Sequence, residues 1–331
     1  RKVENAYAYA KGQQGNAAPE VDFQPIVQEE KPKAKWFIDQ LNEEYAWVIV
    51  GGCGRILREH CNHKGEQIVD YLDEDTFHKA HLSQRAQIGD KVQPITRIWM
   101  SHEKRRSYKG VIFAPGAEAG KGYYNLWRGF SVEPLAPHEK PSERAQAGLD
   151  AFLEHCHENA ARGDVQAARW VLTWFAQMIQ EPAKKPLTAL VFRGEQGTGK
   201  SSMVNCVGQL IRAHYKVVAK TRFVVGNFNG HLQNCLLITF EESFWGGNKD
   251  AEGILNDLIT GQEHFIELKR VEAFGVDNYT RCVVIGNEDW LVKVPHNARR
   301  YTVLDMGKGR LQDLDFFERM RLDMEAGGYR A

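Results

Sequence analysis

The sequence predicts an α/β protein built around a parallel sheet. Residues 194–201, GEQGTGKS, fit the pattern G-x-x-x-x-G-K-[ST] and lie between an apolar run, 187–192, and a helix-compatible run, 202–213. Strand and helix signals alternate in the part of the chain that follows, as they do where helices connect parallel strands. A pair of helices and a small α+β domain are predicted to precede this core.

Composition limits the classes of partner. The 331 residues are enough for two or three domains, and 43 basic residues balance 43 acidic ones. Because bulk charge gives no attraction to nucleic acid, a DNA site would have to be a local groove or channel. No apolar run has the length of a membrane span and no charged-then-apolar leader opens the chain, so no membrane partner is expected. Six scattered cysteines without C-x-x-C spacing favour a reduced, cytoplasmic protein over a zinc protein. The first residue is Arg, so we expect a piece of a longer polypeptide.

The region before the core divides into three predicted parts. Residues 1–34 are rich in Ala, Gln, Gly, Glu and Lys and are interpreted as a linker or extended arm. Residues 35–134 carry the signals of a small α+β domain, and a proline-bearing connector follows it. The predicted elements of the small domain are a short helix marked by Phe37, Leu41 and Tyr45, a strand at 46–50, and short elements at 67–71, 97–99 and 108–113.

Residues 142–182 are predicted to form two helices, about 143–162 and 164–180, broken at Gly163. Apolar residues recur at helical spacing in the second helix. They are Ala168, Val171, Leu172, Phe175, Met178 and Ile179. Pro182 and Pro186 end the helices before the core, which is predicted to occupy 187–320.

The glycine-rich segment predicts a nucleoside triphosphate site, with ATP and Mg²⁺ as the expected ligands. Its glycines let successive backbone N–H groups turn inward around phosphate oxygens, and the following helix N-terminus adds positive partial charge. Lys200 is expected to reach the outer phosphates, and the Ser201 hydroxyl to coordinate Mg²⁺. The predicted nucleotide-binding residues are Gly194, Glu195, Gln196, Gly197, Thr198, Gly199, Lys200, Ser201 and Ser202. The alternative is a strand-to-helix turn without a ligand.

Two carboxylates, Glu241 and Glu242, end the apolar run 235–240 and match a Walker B site. The first is expected in the Mg²⁺ shell, and the second is expected to polarise the attacking water. Most enzymes have Asp at the first position, but a Glu can reach the metal through a water. The alternative is a solvated acidic strand end.

A further polar residue, Asn287, follows the buried run 281–286 at the place where ring ATPases have a sensor of the γ-phosphate. Arg299 and Arg300 precede the apolar run 301–304. Such arginines can act in trans on the ATP of a neighbouring subunit. A strand-end cap and a surface pair that binds nothing are the respective alternatives.

Together these residues resemble the superfamily 3 helicases, and most closely the phage and plasmid primase–helicase group. The stretch 261–270 is similar to the superfamily's DNA-gripping hairpin, and the resemblance gives Lys269, and more weakly Arg270, a DNA-binding role. Contacts of this kind are sequence-independent and salt-sensitive. Solvated charges on a hairpin are the alternative. The group also carries stretches similar to 124–130 and to Phe228-Asn229, for which packing is favoured over binding.

The resemblance implies an AAA+-like P-loop ATPase core with a helical collar. It also implies a ring-shaped homo-oligomer, expected to be a hexamer, that translocates 3′ to 5′ on single-stranded or forked DNA. A primase-polymerase domain is expected on the same longer chain. The protein is expected in the cytoplasm, which is that of the host cell if a phage encodes it. One rival is an ATP-switched replication initiator or loader, which a strand-displacement assay separates from a helicase. The other is a small-molecule kinase, disfavoured by the strand-borne Glu pair and Asn287.

Overall fold

The computed structural model describes residues 35–63, 65–220, 229–241, 249–287 and 299–331. The predicted arm, 1–34, lies outside the described residues. The helices are α1 (Lys35–Glu44), α2 (Glu74–Ala80), α3 (Ile95–Ser101), α4 (Glu143–Glu154), α5 (Val165–Gln180), α6 (Lys200–Gln209), α7 (Lys249–Thr260) and α8 (Leu314–Glu325). The first eight strands are β1 (Tyr45–Val50), β2 (Cys53–Cys61), β3 (Gln67–Leu72), β4 (Arg85–Ile88), β5 (Lys91–Pro94), β6 (Ser107–Tyr108), β7 (Gly110–Ile112) and β8 (Tyr123–Asn125). The remaining strands are β9 (Ala189–Arg193), β10 (Tyr215–Val218), β11 (Leu237–Phe240), β12 (Glu263–Ile266), β13 (Phe274–Asp277), β14 (Arg281–Gly286) and β15 (Tyr301–Asp305).

The segment before residue 134 contains a four-stranded sheet in the order β3-β2-β1-β6. Strands β1 and β2 pair antiparallel across a tight turn, where Gly51 and Gly52 both have positive φ. Tyr45, expected in the helix, begins β1, because its buried ring packs on Phe77 under the sheet. The single element expected at 108–113 is divided into β6 and β7.

Five parallel strands form the second large sheet, in the order β10-β11-β14-β9-β15. Every residue of β11 and β14 is buried, as are the first four residues of β9. Unbroken apolar runs are typical of parallel strands that are covered on both faces. The strand predicted at 187–192 begins two residues later, because Leu187 has a φ of 56° and lies outside the strand.

Both helices predicted between residues 142 and 182 are present, but the first ends differently. Ser142 caps α4 by accepting a hydrogen bond from the N–H of Ala145, and the α-helix ends at Glu154. The chain continues as a π-helical turn, His155–Ala160, in place of the α-helix expected to residue 162. Asp164 caps α5, after Gly163 with a φ of 78°.

Helix α8 packs against α4 and was not predicted from the sequence. The two backbones approach closely at Gly148, where an added Cβ would lie 2.7 Å from the backbone of Asp323. None of the described helices is long and apolar enough to cross a membrane.

One hydrophobic cluster connects the small domain, the helix pair and the parallel sheet. It contains Val48 and Leu57 of the small sheet, Phe175 of α5 and Phe192 of the parallel sheet. A separate cluster around Phe37, Phe77 and Trp99 stabilises the outer side of the small domain. The inner side of that domain is therefore packed on the parallel sheet through shared apolar burial.

Candidate nucleotide-binding site

Three strands of the parallel sheet end at one cavity. Residue 194 follows β9, Asn287 follows β14 and Glu241 follows β11, and the pairing register brings these strand ends to the same edge. Ligands of open parallel sheets bind at this carboxyl edge. The cavity has a volume of about 470 Å³. Its lining consists of Gln196, Gly197, Thr198, Gly199, Lys200, Ser201, Ser202, Glu241, Ile285, Gly286 and Asn287.

The glycine-rich loop wraps into the first turn of α6. Gly197 and Gly199 have φ values of 89° and 83°, and Gly199 is the N-cap of α6. The Thr198 hydroxyl donates to the carbonyl of Glu195 at 2.9 Å. An added Cβ at Gly199 would lie 2.3 Å from the ring of Phe317, so that position requires glycine for space as well as for φ. The loop thus presents a helix N-terminus, with its positive partial charge, to the cavity.

Lys200 is only 7% exposed and connects two of the strand ends. Its Nζ donates to the carbonyls of Gly194 and Glu195, at 2.5 and 2.8 Å, and to Oδ1 of Asn287 at 2.9 Å. Gly194 and Glu195 themselves do not line the cavity, although both were predicted as nucleotide-binding residues. The structure therefore brings the predicted phosphate lysine and the predicted sensor asparagine into direct contact.

The cavity that Lys200 lines also contains side-chain oxygen atoms of the kind that bind a cation. Ser201, Ser202 and the half-buried Glu241 line the same cavity, and the backbone N–H of Glu241 donates to the carbonyl of Val218 at 3.0 Å. Glu242 lies outside the described residues. No group of three or more His, Cys, Asp or Glu side chains in the described ranges could hold a metal by itself. A hydroxyl and a carboxylate at one cavity are nevertheless hard-oxygen ligands of the kind that Mg²⁺ takes together with phosphate oxygens.

The π-helical turn holds the glycine-rich loop through His155 and Asn159, two side chains to which the sequence analysis gave no role at this site. Asn159 and His155 are each 1% exposed. Asn159 Nδ2 donates to the carbonyl of Thr198 at 2.7 Å, and His155 Nε2 lies 3.2 Å from the carbonyl of Gly199. Since a carbonyl can only accept, His155 must carry its proton on Nε2. Burial lowers the pKa of His155, which favours this neutral form. Irregular π-helical turns are frequent at functional sites, but no residue periodicity announces them.

The segment that follows β15 fastens the other side of the loop. The N–H of Gln312 donates to the carbonyl of Gly197 at 2.9 Å, and Lys308 forms an ion pair with Glu195. An added Cβ at Gly194 would lie 2.8 Å from the side chain of Met306. The loop is thus held between the π-helical turn and residues 306–312.

Arg299 and Arg300 are exposed and lie far from this cavity within the chain. The carbonyl of Arg300 accepts from the N–H of Ala189, the first residue of β9, whereas the glycine-rich loop follows the last. Five residues of β-strand span about 16 Å. The arginine pair is therefore at the opposite edge of the sheet from its own nucleotide cavity.

Lys269 and Arg270 lie in the loop between β12 and β13, outside the cavity. Both are exposed, and Arg270 forms an ion pair with Asp73 of the small domain at 3.5 Å. The carbonyl of Arg270 also accepts from a guanidinium N–H of Arg55 at 2.5 Å. The hairpin loop is thus docked on the small domain.

The aromatic stretch 124–130 is packed between the small domain and the sheet. Trp127 stacks on His214 with ring centroids 4.5 Å apart and an interplanar angle of 20°. Tyr124 and Leu126 are buried in the shared cluster. The other stretch begins at Phe228, which lies outside the described residues.

Comparison with known proteins gives matches in sequence and in fold. A model of a family of unknown function, DUF5906, matches residues 192–300. The DNA primase-polymerase of Nitratiruptor phage NrS-1 is 23% identical over 191 residues, which span 57% of this chain and 25% of that protein.

The structural matches cover more of the chain. The apo structure of the NrS-1 C-terminal region covers 92% of this chain and 69% of its own, with a TM-score of 0.65 and 18% identity. The A form of the same region gives a TM-score of 0.63 and 16% identity, with 88% and 67% covered. The chain thus has the fold of the C-terminal region of a phage primase-polymerase, and this confirms the resemblance to the phage primase–helicase group that the motifs indicated.

Proposed function

We propose that this chain is the ATP-hydrolysing helicase part of a phage-type DNA replication protein. The observation that carries the proposal is the convergence of three side chains on one cavity: Lys200 at the N-terminus of α6, Asn287 after β14 and Glu241 after β11. This cavity therefore contains positive charge, backbone N–H donors and a carboxylate, which are the groups that recognise a triphosphate with its cation.

The geometry supports particular roles for these residues. Lys200 would exchange its bonds to the Gly194 and Glu195 carbonyls for phosphate oxygens and would keep the developing charge neutralised. Asn287, already at 2.9 Å from that ammonium, would orient the outer phosphate or the attacking water. Ser201 and Glu241 would hold Mg²⁺, which when bound neutralises phosphate charge. Glu242, which follows Glu241 in the sequence, would polarise the attacking water.

An arginine pair at the edge of the sheet opposite its own cavity can act on ATP only in a neighbouring subunit, which supports a ring in which Arg299 or Arg300 acts in trans. We propose a hexamer with helices α4 and α5 as its collar, translocating 3′ to 5′ on single-stranded or forked DNA. We also propose that a primase-polymerase domain belongs to the same longer chain.

Steady-state ATP hydrolysis, with and without single-stranded DNA and at two salt concentrations, tests the proposal. Lys200→Ala is expected to lower turnover by about 100-fold or more, because it removes the cation that faces the transferred charge. The matched control is Lys184→Ala, which alters an exposed lysine paired with Glu181. Turnover in Lys200→Ala equal to that of the control would refute the site.

The DNA arm of the experiment separates the helicase from the nucleotide-switched loader. A helicase is expected to hydrolyse ATP faster with single-stranded DNA, in a salt-sensitive manner, and to displace a strand from a forked duplex. ATP hydrolysis with DNA binding but without strand displacement would assign the chain to the loader class instead.

A further inference from the structure

A second cavity lies between the small domain and the amino edge of the parallel sheet. It has a volume of about 470 Å³ and is formed by several distant parts of the chain. One wall is β3 of the small domain, including Tyr71, and the opposite wall contains residues 212–216 and 230–234. The loop of the β12–β13 hairpin, with Leu268 and Lys269, closes the third side. We refer to this cavity as the interdomain cleft.

The charge of the interdomain cleft differs from that of the whole chain, whose net charge is zero. Five basic side chains contribute to its lining, namely Arg55, Arg128, Arg212, Lys216 and Lys269. Two carboxylates, Glu66 and Asp70, also line it, so the basic side chains of the lining outnumber the acidic ones by five to two. Asp70 lies 2.7 Å from Nε2 of His60, and Glu66 accepts from Asn62 at 2.8 Å. A local excess of positive charge in a concave site focuses anions there.

Buried polar atoms in the same cleft lack partners. Gln233 is 5% exposed, and its Oε1 accepts from the Tyr71 hydroxyl at 3.2 Å. Its Nε2 is buried and has no hydrogen-bond partner within the described ranges, and the same holds for Nε2 of His231. Both side chains line the cleft. A buried amide donor without an acceptor is costly, so an atom supplied by a ligand would stabilise it.

We propose that the interdomain cleft binds a single strand of DNA. Its phosphates would contact the five cations, and the edge of one unpaired base would meet the Gln233 carboxamide and His231. In a duplex the base-pairing edge of each base is occupied by its partner, whereas an unpaired, unstacked base can present this edge to the buried amide. The ligand class rests on the proposed function, but the cleft is separate from the nucleotide cavity and extends the DNA contact of Lys269 to the small domain.

Binding of fluorescently labelled oligo(dT) to the full chain, measured by anisotropy without nucleotide, tests the phosphate contacts. The double variant Arg212→Glu with Lys216→Glu is expected to bind about tenfold more weakly or worse. The slope of log affinity against log salt should fall by about 1.4, since each lost phosphate contact accounts for roughly 0.7 on single strands. The matched control, Lys91→Glu with Lys121→Glu, reverses two exposed lysines outside the cleft and should leave both quantities unchanged.

The base contact is tested by Gln233→Leu, which removes the buried amide with little change in volume. This variant should weaken oligo(dT) binding severalfold but leave competition by inorganic polyphosphate unchanged. Circular dichroism melting verifies the fold of each variant, and ATP hydrolysis without DNA should match that of the wild type in all of them.

The outcomes distinguish this inference from the proposed function. If the wild type hydrolyses ATP and binds oligo(dT) but the cleft variants bind as tightly as the control, the strand lies elsewhere and the inference is wrong. A wild type that binds no oligo(dT) overturns the inference together with the DNA part of the proposed function. A wild type that binds oligo(dT) through the cleft but hydrolyses no ATP overturns the proposed function alone.

Discussion

Replacement of His214 by glutamine is expected to remove part of the fold's sensitivity to acid. The ring is fully buried and stacked on Trp127, between the small domain and the sheet. Its Nδ1 lies 2.9 Å from the carbonyl of Asn234, and its Nε2 accepts from the backbone N–H of Arg128 at 2.9 Å. Because both nitrogens are satisfied in the neutral form, a second proton would face the N–H of Arg128.

The magnitude follows from the pKa. Burial lowers the pKa of His214 to about 4, against an ordinary value of 6.5. Between these two pH values His214 is protonated in the unfolded chain but neutral in the folded chain, so the free energy of unfolding decreases as the pH falls. The stabilisation is fully present above about pH 6.5, decreases by about 2 kcal/mol at pH 5, and decreases by roughly 3 kcal/mol once the pH falls below 4.

Urea unfolding at pH 7.5 and at pH 5.0 measures this effect. The free energy of unfolding of the wild type should fall between the two pH values by about 2 kcal/mol more than that of His214→Gln. His138→Gln changes an exposed histidine and should retain the wild-type difference. Burial also lowers the pKa of His264 to about 4, so some acid sensitivity should remain in every variant. An equal loss of stability in the wild type and His214→Gln would refute the reasoning.

Two further predictions concern the glycine-rich loop. Gly199→Ala introduces a Cβ 2.3 Å from Phe317 at a φ of 83°, and should weaken ATP binding at least about tenfold in a nucleotide-binding titration, whereas Gly253→Ala, on α7 with open space around it, should not. Asn159→Leu removes the bond to the Thr198 carbonyl and should raise KM for ATP by about tenfold, with a smaller change in kcat, whereas His157→Gln on the same π-helical turn should change neither. Wild-type ATP affinity in Gly199→Ala, or wild-type KM in Asn159→Leu, would show that the loop tolerates these changes.

Much of the parallel sheet could be predicted because its strands are buried on both faces. Strand β14 has the bounds that its apolar run indicated, and β11 lies within the predicted run. The signal of α8 was also present in the sequence, since Phe316, Met320 and Met324 recur at helical spacing after the capping residue Asp313. The small domain was harder to predict, because its short strands β6 and β7 are half-buried and lack a clear alternation.

In the candidate site, the contacts made by neighbours in sequence could be predicted, and the contacts between distant segments could not. The glycine-rich loop is recognisable because its backbone donors, lysine and hydroxyl are neighbours in sequence. The support by His155 and Asn159 comes from residues about 40 positions earlier, on a turn without α-helical periodicity. The interdomain cleft combines Tyr71, Gln233 and Lys269, which no short motif connects. Contacts between distant segments leave no local pattern, so they emerged only from the fold.

The nucleotide cavity and the interdomain cleft lie at opposite edges of the same strands. Lys216 is near the start of β10 and Glu241 follows the end of β11, and the N–H of Glu241 bonds to the carbonyl of Val218, the last residue of β10. Four residues of strand span about 13 Å. Strands this short, hydrogen-bonded in register and packed to core density, do not stretch or bend appreciably. The two cavities are therefore separated by about one strand length of hydrogen-bonded sheet, and Lys216 and Tyr71 line facing walls of the cleft. The wall at Tyr71 belongs to the small domain, and that domain is held against the sheet in part by the stacking of Trp127 on His214.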